Sequence, residues 1–266
     1  MSATAQRVCT LCGLGLVVLF FVGFGAIAQF LVPQPPTDGA TQFVLKFAEH
    51  RTRIRVGLLI TMFGAALLVP WSAGLFVQLR RAEGRFSPLP YVQMLCGTLF
   101  SLEFIYLIMF WQTAAFRADT SPELVRLLTD MGWIPFVGLT STAVVMAFAL
   151  GFSMLSDERA EPVFPRWAGY FNLWVAFMFT PGSLCVFFKT GPFAYNGLLA
   201  WYLPVAVFTV WMPLNTALCL RAIAAQEREH VALHGEPDAR LEPEDLAREL
   251  AAVRQELARL SAQAAR

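Results

Sequence analysis

The sequence predicts an all-α fold: a polytopic membrane protein with six transmembrane helices, followed by a short C-terminal coiled-coil helix. Three observations predict it. Of 266 residues, 57% are hydrophobic and 15% charged, with a mean hydropathy of +0.56, whereas soluble domains average about 45–50% and about 25%. A single aqueous core of this size cannot hide that much apolar surface. Six stretches reach the roughly 20 apolar residues that cross a bilayer, near 8–32, 54–79, 89–113, 132–154, 168–189 and 198–222. The polar end of the chain then repeats an apolar heptad. Residues 1–222 are accordingly read as the transmembrane domain, 223–240 as a linker and 241–266 as an oligomerisation helix.

In chain order, Arg7 precedes an apolar run ending Ala26-Ile27-Ala28, which has the look of a signal peptide. The run is about 24 residues long, beyond the roughly 7–15 of a signal core, so it is read as the first span. The loop Pro33 to Arg53 opens on Val32-Pro33-Gln34-Pro35-Pro36, which excludes a continuous helix. Its second half sets Phe43, Leu45 and Phe47 among polar residues, the pattern of a short helix lying in the membrane interface. His50-Arg51-Thr52-Arg53-Ile54-Arg55 opens the second span, with Arg51 and Arg55 on one face. Arg51, Arg53 and Arg55 are candidates for contact with an anionic head group or for capturing an anionic ligand at a cavity mouth.

Residues 117–130 form a second interfacial segment, turning at Ser121-Pro122-Glu123 with Leu124, Leu127 and Leu128 on one side. Between the fifth and sixth spans, Lys189-Thr-Gly-Pro-Phe-Ala-Tyr-Asn-Gly reads as a tight turn, with Lys189 and Asn196 as the polar groups of an alternative gate or ligand contact. In the tail, Leu246, Leu250, Val253, Leu257, Leu260 and Ala264 keep heptad spacing behind Pro243, Glu244 and Asp245. Glu249 and Glu256 take g positions and Arg254 an e position, so a parallel coil gains an interchain Glu–Arg pair. The alternative is a surface helix packed on the membrane domain.

The net charge of +1 excludes the concentrated basic field that nucleic acid demands. Arginine outnumbers lysine 18 to 2, pointing to a GC-rich bacterial genome and hence to the bacterial inner membrane. Arginine and lysine in the short loops divide almost evenly between the two sides. The length of the polar tail places both termini in the cytoplasm. Cys9 and Cys12 have C-x-x-C spacing, but with no second pair and no nearby histidine they read as small apolar residues.

Glu103 stands near the middle of the third span, where a charge costs several kcal/mol. It is expected to face the bundle interior, protonated or paired, with Asn215, Thr216, Gln78 or Tyr106 as hydrogen-bond partners. The arrangement reads either as a proton-linked or ligand-recognising group or as an interhelical bond that fixes packing. Pro70, Pro181-Gly182, Pro204 and Pro213 interrupt three spans and predict kinks, with Thr180, Asn215 and Thr216 placed to satisfy freed backbone groups. Trp133, Trp167 and Trp201 fit an interfacial belt, and the 24 phenylalanines allow an aromatic-lined pocket.

Catalytic signatures are missing: no H-E-x-x-H, G-x-S-x-G, P-loop, histidine cluster or intramembrane carboxylate pair. His230 and His234 fall in the linker. No metal or other cofactor is expected, and no lysine within a span offers a Schiff base.

The stretches Pro162-Val-Phe-Pro-Arg-Trp-Ala-Gly-Tyr-Phe-Asn-Leu-Trp-Val-Ala-Phe and Phe187-Phe-Lys-Thr-Gly-Pro-Phe-Ala-Tyr-Asn-Gly-Leu-Leu, with His50-Arg-Thr-Arg-Ile-Arg, carry a resemblance. Over roughly 30–223 the chain resembles an uncharacterised family of bacterial six-span integral membrane proteins. That likeness implies the span count and transfers no catalytic residue. Three functions remain open. The first is a non-enzymatic, self-associating membrane protein whose kinked bundle binds or passes a small lipophilic or amphipathic molecule. The second is a scaffold or accessory subunit with other membrane subunits as partners, and the third an intramembrane enzyme using Glu103 as acid or base. Membrane lipids are the expected partners in all three.

Overall fold

A computed structural model describes residues 3–84 and 87–234. Among these the chain is helical, with no strand. Five helices are long and apolar enough to cross a membrane: Ala3–Ile27, Arg51–Glu83, Leu89–Phe116, Pro122–Leu155 and Leu198–Ala232. The chain is a membrane protein. Its first helix, α1 (Ala3–Phe20), continues as a π-helical segment over Phe21–Ile27. A short α2 (Ala40–Glu49) leads into α3 (Arg51–Ala66) and α4 (Leu68–Glu83), which form one long span broken at Leu67. Then come α5 (Leu89–Phe116), α6 (Pro122–Gly138) and α7 (Ser141–Leu155). After α8 (Arg166–Phe179), a 3-10 segment (Thr180–Val186) and a π turn (Leu198–Tyr202), α9 runs from Leu203 to His234.

Three readings change. The stretch 168–189 is not one α-helix. It switches to 3-10 geometry at Thr180, because Pro181 has no N–H for the next helical bond and its ring opposes the carbonyl four residues back. The stretch 132–154 is two helices: α6 starts ten residues earlier, at Pro122, and ends at Gly138, three residues past Pro135. Residues 223–234, expected to begin the linker, are helical. The chain divides into two compact units, Met1–Ala224 and Ala225–Arg266. The predicted coiled-coil positions Leu246, Leu250, Val253, Leu257 and Leu260 lie outside the described residues.

Within Met1–Ala224 the core falls into two parts. Toward the N-terminal end, Trp71, Leu75, Met146, Leu150, Val175 and Trp211 join α4, α7, α8 and α9. Toward the far end, Phe24, Phe30, Phe43, Phe47, Trp111 and Trp133 form an aromatic cluster. This explains a second set of corrections. The apolar face of α2 does not rest on the membrane surface: Phe43 and Phe47 are buried and α2 packs on α6, while Leu45 points outward. Trp133 and Trp201 likewise belong to the core rather than an interfacial belt, and of these three tryptophans Trp167 alone is exposed.

Glycines permit the tightest crossings. A Cβ on Gly57 of α3 would stand 2.4 Å from the Gly23 carbonyl and 2.6 Å from the Ala28 nitrogen. A Cβ on Gly169 of α8 would meet the Gly151 carbonyl of α7 at 3.0 Å. Without a hydrophobic drive between helices in lipid, such close backbone approach supplies the packing energy.

Candidate functional site

Glu103 lies at the midpoint of α5, half-buried, and its Oε2 accepts a hydrogen bond from Thr142 of α7 at 2.8 Å. None of its expected partners bonds to it. Tyr106, three residues on, turns outward with 61% exposure, as the 300° rotation over three helical residues allows. Gln78 of α4 donates instead to Gln6 Oε1 at 2.7 Å. Thr216 of α9 accepts from Trp71 Nε1 at 2.9 Å. Asn215 pairs with Asn172 of α8, which also accepts from Trp211 Nε1 at 2.7 Å. The polar residues are thus distributed over separate interhelical bonds, each tying a different pair of helices. Among the described residues, the Thr142 hydroxyl is the hydrogen-bond donor recorded for the Glu103 carboxyl group.

Asn172, Thr142 and Pro135 were not singled out by sequence reasoning. Asn172 sits inside a quoted motif, and its signal was present: a carboxamide with four hydrogen-bonding positions in an otherwise apolar span.

The prolines serve a different geometry. Pro70 follows the break at Leu67, and Ser101 of α5 donates to the Ala65 carbonyl beside it at 2.9 Å. Thr180 Oγ1 donates to the Ala176 carbonyl at 3.1 Å, next to the switch at Pro181. Pro213 lies inside α9, flanked by Asn215 and Thr216, which bond back to the Trp211 and Met212 carbonyls. In each case the side-chain bond falls on a carbonyl near the proline and not on the one four residues back that the proline leaves without its helical donor.

The irregular segments converge. Thr140, at the α6–α7 break, hydrogen-bonds Ser183 of the 3-10 segment. Beside them lies a cavity of about 70 Å³ walled by Phe20, Phe104, Phe136, Trp201, Pro204 and Phe208. Its polar lining groups are the Thr140 hydroxyl and the indole N–H of Trp201, which donates to the Leu31 carbonyl at 2.9 Å. Glu103 is not among the lining residues, although its neighbour Phe104 is.

A second and larger space lies on the outer surface of the bundle between α3 and α5. This groove of about 580 Å³ has Thr52, Arg55, Gln112 and Thr113 toward the far end, and Val56, Leu59, Met62 and Met109 deeper along the helices. The three arginines divide in two, Arg51 and Arg55 meeting Phe116 and Arg53 turning to Gln29. Arg51 donates to the Phe116 carbonyl and Arg53 to Gln29 Oε1 at 2.9 Å. Arg55 lies over the Phe116 ring at 5.6 Å, at the groove mouth.

Nearby, Lys46 of α2 stands 5.2 Å over the Phe30 ring; burial first, then Arg53, holds its ammonium below the usual lysine range against the pull of Asp38. In the turn after the 3-10 segment, Tyr195 stacks on Trp133 at 5.8 Å. Burial pushes its phenol well above the ordinary tyrosine range. Lys189 is exposed and Asn196 half-buried in the same turn, where Gly191 adopts φ +82°. Compared with known proteins, the chain matches no family model, no curated protein and no solved structure.

Proposed function

We propose that this is a non-enzymatic integral membrane protein whose kinked helix bundle binds or passes a small lipophilic or amphipathic molecule. The observation that supports this reading is the aromatic-walled cavity where the broken segments meet. Broken helices at membrane depth are tolerated where they are covered or line a cavity, and they provide hinges. At about 70 Å³ the resting cavity is under half of the roughly 150 Å³ that holds benzene. It therefore takes a small apolar molecule, or the end of a longer one, and a larger occupant enters only as the breaks at Leu139 and Thr180 open.

The rest of the proposal concerns topology. As a sixth span we take α8 with its 3-10 continuation. Their 14 and 7 residues advance about 35 Å, enough for a hydrocarbon layer of about 30 Å. Both termini lie in the cytoplasm, the membrane is the bacterial inner membrane, and residues 241–266 join copies of the chain as a coiled coil. Deleting 241–266 is expected to lower the oligomeric state of the purified protein.

The ligand reading is tested with bromoethane, a small apolar heavy-atom quencher. Trp201 lines the cavity, so quenching of tryptophan fluorescence in lipid nanodiscs is expected to include a saturable component above linear partitioning. Ala143→Leu, which extends a side chain into the cavity, is expected to abolish that component. Purely linear quenching in the unaltered protein would overturn the proposal.

A further inference from the structure

The groove between α3 and α5 carries a second binding reading, independent of the aromatic-walled cavity. Two contacts fasten its outer end: Gln112 Nε2 donates to the Arg55 carbonyl at 3.0 Å, and Arg51 to the Phe116 carbonyl. Below them the helices part, and the space has a clear chemical gradient. Its mouth offers the Arg55 guanidinium and the Thr52 hydroxyl, and its depth offers Leu59, Met62 and Met109.

Depth in the membrane follows from length. Arg51–Glu83 is 33 residues, about 50 Å of helix against about 30 Å of hydrocarbon. Its first turns therefore stand at head-group level and Leu59 and Met62 within the acyl region. The groove also faces the bilayer, since Val56, Leu59, Met109 and Phe116 are all exposed on the bundle surface.

Charge selects the occupant. Among the described residues, none of Arg51, Arg53 and Arg55 pairs with a carboxylate. Arg51 and Arg53 hydrogen-bond to the protein, whereas among the described residues the Arg55 side chain makes a ring contact with Phe116 and no hydrogen bond, leaving its N–H groups open to a ligand. A guanidinium held over a ring face keeps its N–H donors available to an anion. The methionines add an adaptable apolar wall.

We propose that this groove is a binding site for an anionic phospholipid, with the phosphate on Arg55 and an acyl chain along Leu59, Met62 and Met109.

The test uses the full-length protein in a neutral detergent, with lipid binding followed by native mass spectrometry. The probes are dioleoylphosphatidylglycerol, dioleoylphosphatidylcholine and inorganic phosphate. The unaltered protein is expected to bind the anionic lipid at least about tenfold more tightly than the zwitterionic one, which is about 1.4 kcal/mol. Arg55→Gln should bring the two lipids level, while Arg55→Lys keeps part of the preference. Leu59→Trp, or Val56→Trp should that variant be unstable, fills the groove and is expected to weaken both lipids. Arg80→Gln removes another ring-stacked arginine, at the opposite end of the bundle, and should leave the preference intact. Equal binding of the two lipids by the unaltered protein, or an unchanged preference in Arg55→Gln, would overturn the proposal. So would displacement of the anionic lipid by inorganic phosphate alone, which would mark a site for the free ion.

Discussion

Asn172 offers the sharpest test of how the bundle is held together. Its side chain is fully buried, as are those of Trp211 and Asn215. Its Oδ1 accepts from Trp211 Nε1 at 2.7 Å, and its Nδ2 donates to Asn215 Oδ1 at 3.1 Å and to the Ala168 carbonyl of its own helix at 2.8 Å. Asn172→Leu keeps nearly the same volume and orphans two groups, the Trp211 N–H and the Asn215 carbonyl oxygen. Asn215 retains its bond to the Trp211 carbonyl at 2.9 Å.

Interhelical hydrogen bonds in membranes contribute about 0.6 kcal/mol on average and up to about 1.7. Two orphaned groups therefore give an expected loss of about 1–3 kcal/mol. Trp211→Phe removes the donor beforehand, so Asn172→Leu should cost about half as much in that background. The coupling energy is then about 0.5–1.5 kcal/mol. Losses of ring packing between Trp211 and Trp71, whose centroids are 5.5 Å apart, occur in both arms of the cycle and cancel. The assay is reversible unfolding of the purified protein in mixed micelles of rising SDS fraction. Additive effects of the two substitutions would show that the Trp211–Asn172 hydrogen bond does not help to join α8 and α9.

Asp157, in the loop between α7 and α8, should confer a pH dependence. Burial raises its pKa, but hydrogen bonds from the Arg159 side chain and the Val163 and Arg159 backbone outweigh this and hold it below the usual carboxylate range. Its contribution is present above the ordinary carboxylate pKa of about 3.9 and is lost as pH falls through the depressed value, so thermal stability should drop there. Asp157→Asn should flatten that limb and cost about 1–3 kcal/mol at neutral pH, measured by thermal unfolding. Gly57→Ala should lower the unfolding temperature by an amount equivalent to about 1–3 kcal/mol, because the new methyl meets the backbone of Gly23 and Ala28. Glu103→Gln leaves Thr142 an acceptor and should change stability by less than about 1 kcal/mol, with the bromoethane signal intact. Loss of that signal would make Glu103 part of the ligand site.

Local chemistry made a good part of this legible. Apolar runs located the membrane helices, since no water-filled core hides so much hydrocarbon. Pro70 and Pro181 marked breaks that the structure contains, because a missing N–H acts on its own helix whatever surrounds it. Partnership was a different matter. Glu103, Gln78, Asn215 and Thr216 stood out as polar residues in apolar spans, yet each bonds elsewhere, because helix rotation and neighbour order decide which side chains meet. Arg51 and Arg55, read as sharing a face, both meet Phe116, whereas Arg53, 200° round the helix from Arg51, reaches Gln29. Phe43 and Phe47 had an amphipathic period that fits a membrane surface and a protein surface equally well. Only the position of α6 decided for the protein.

By itself, then, the sequence determined the solvent, the helical class and the places where backbone continuity fails, all properties of one segment and its immediate neighbours. The aromatic cavity and the basic-mouthed groove were decided by the tertiary structure alone. Their walls come from residues as distant in the chain as Phe20 and Phe208, or Arg55 and Phe116, and such meetings depend on how helices pack, which no single segment encodes.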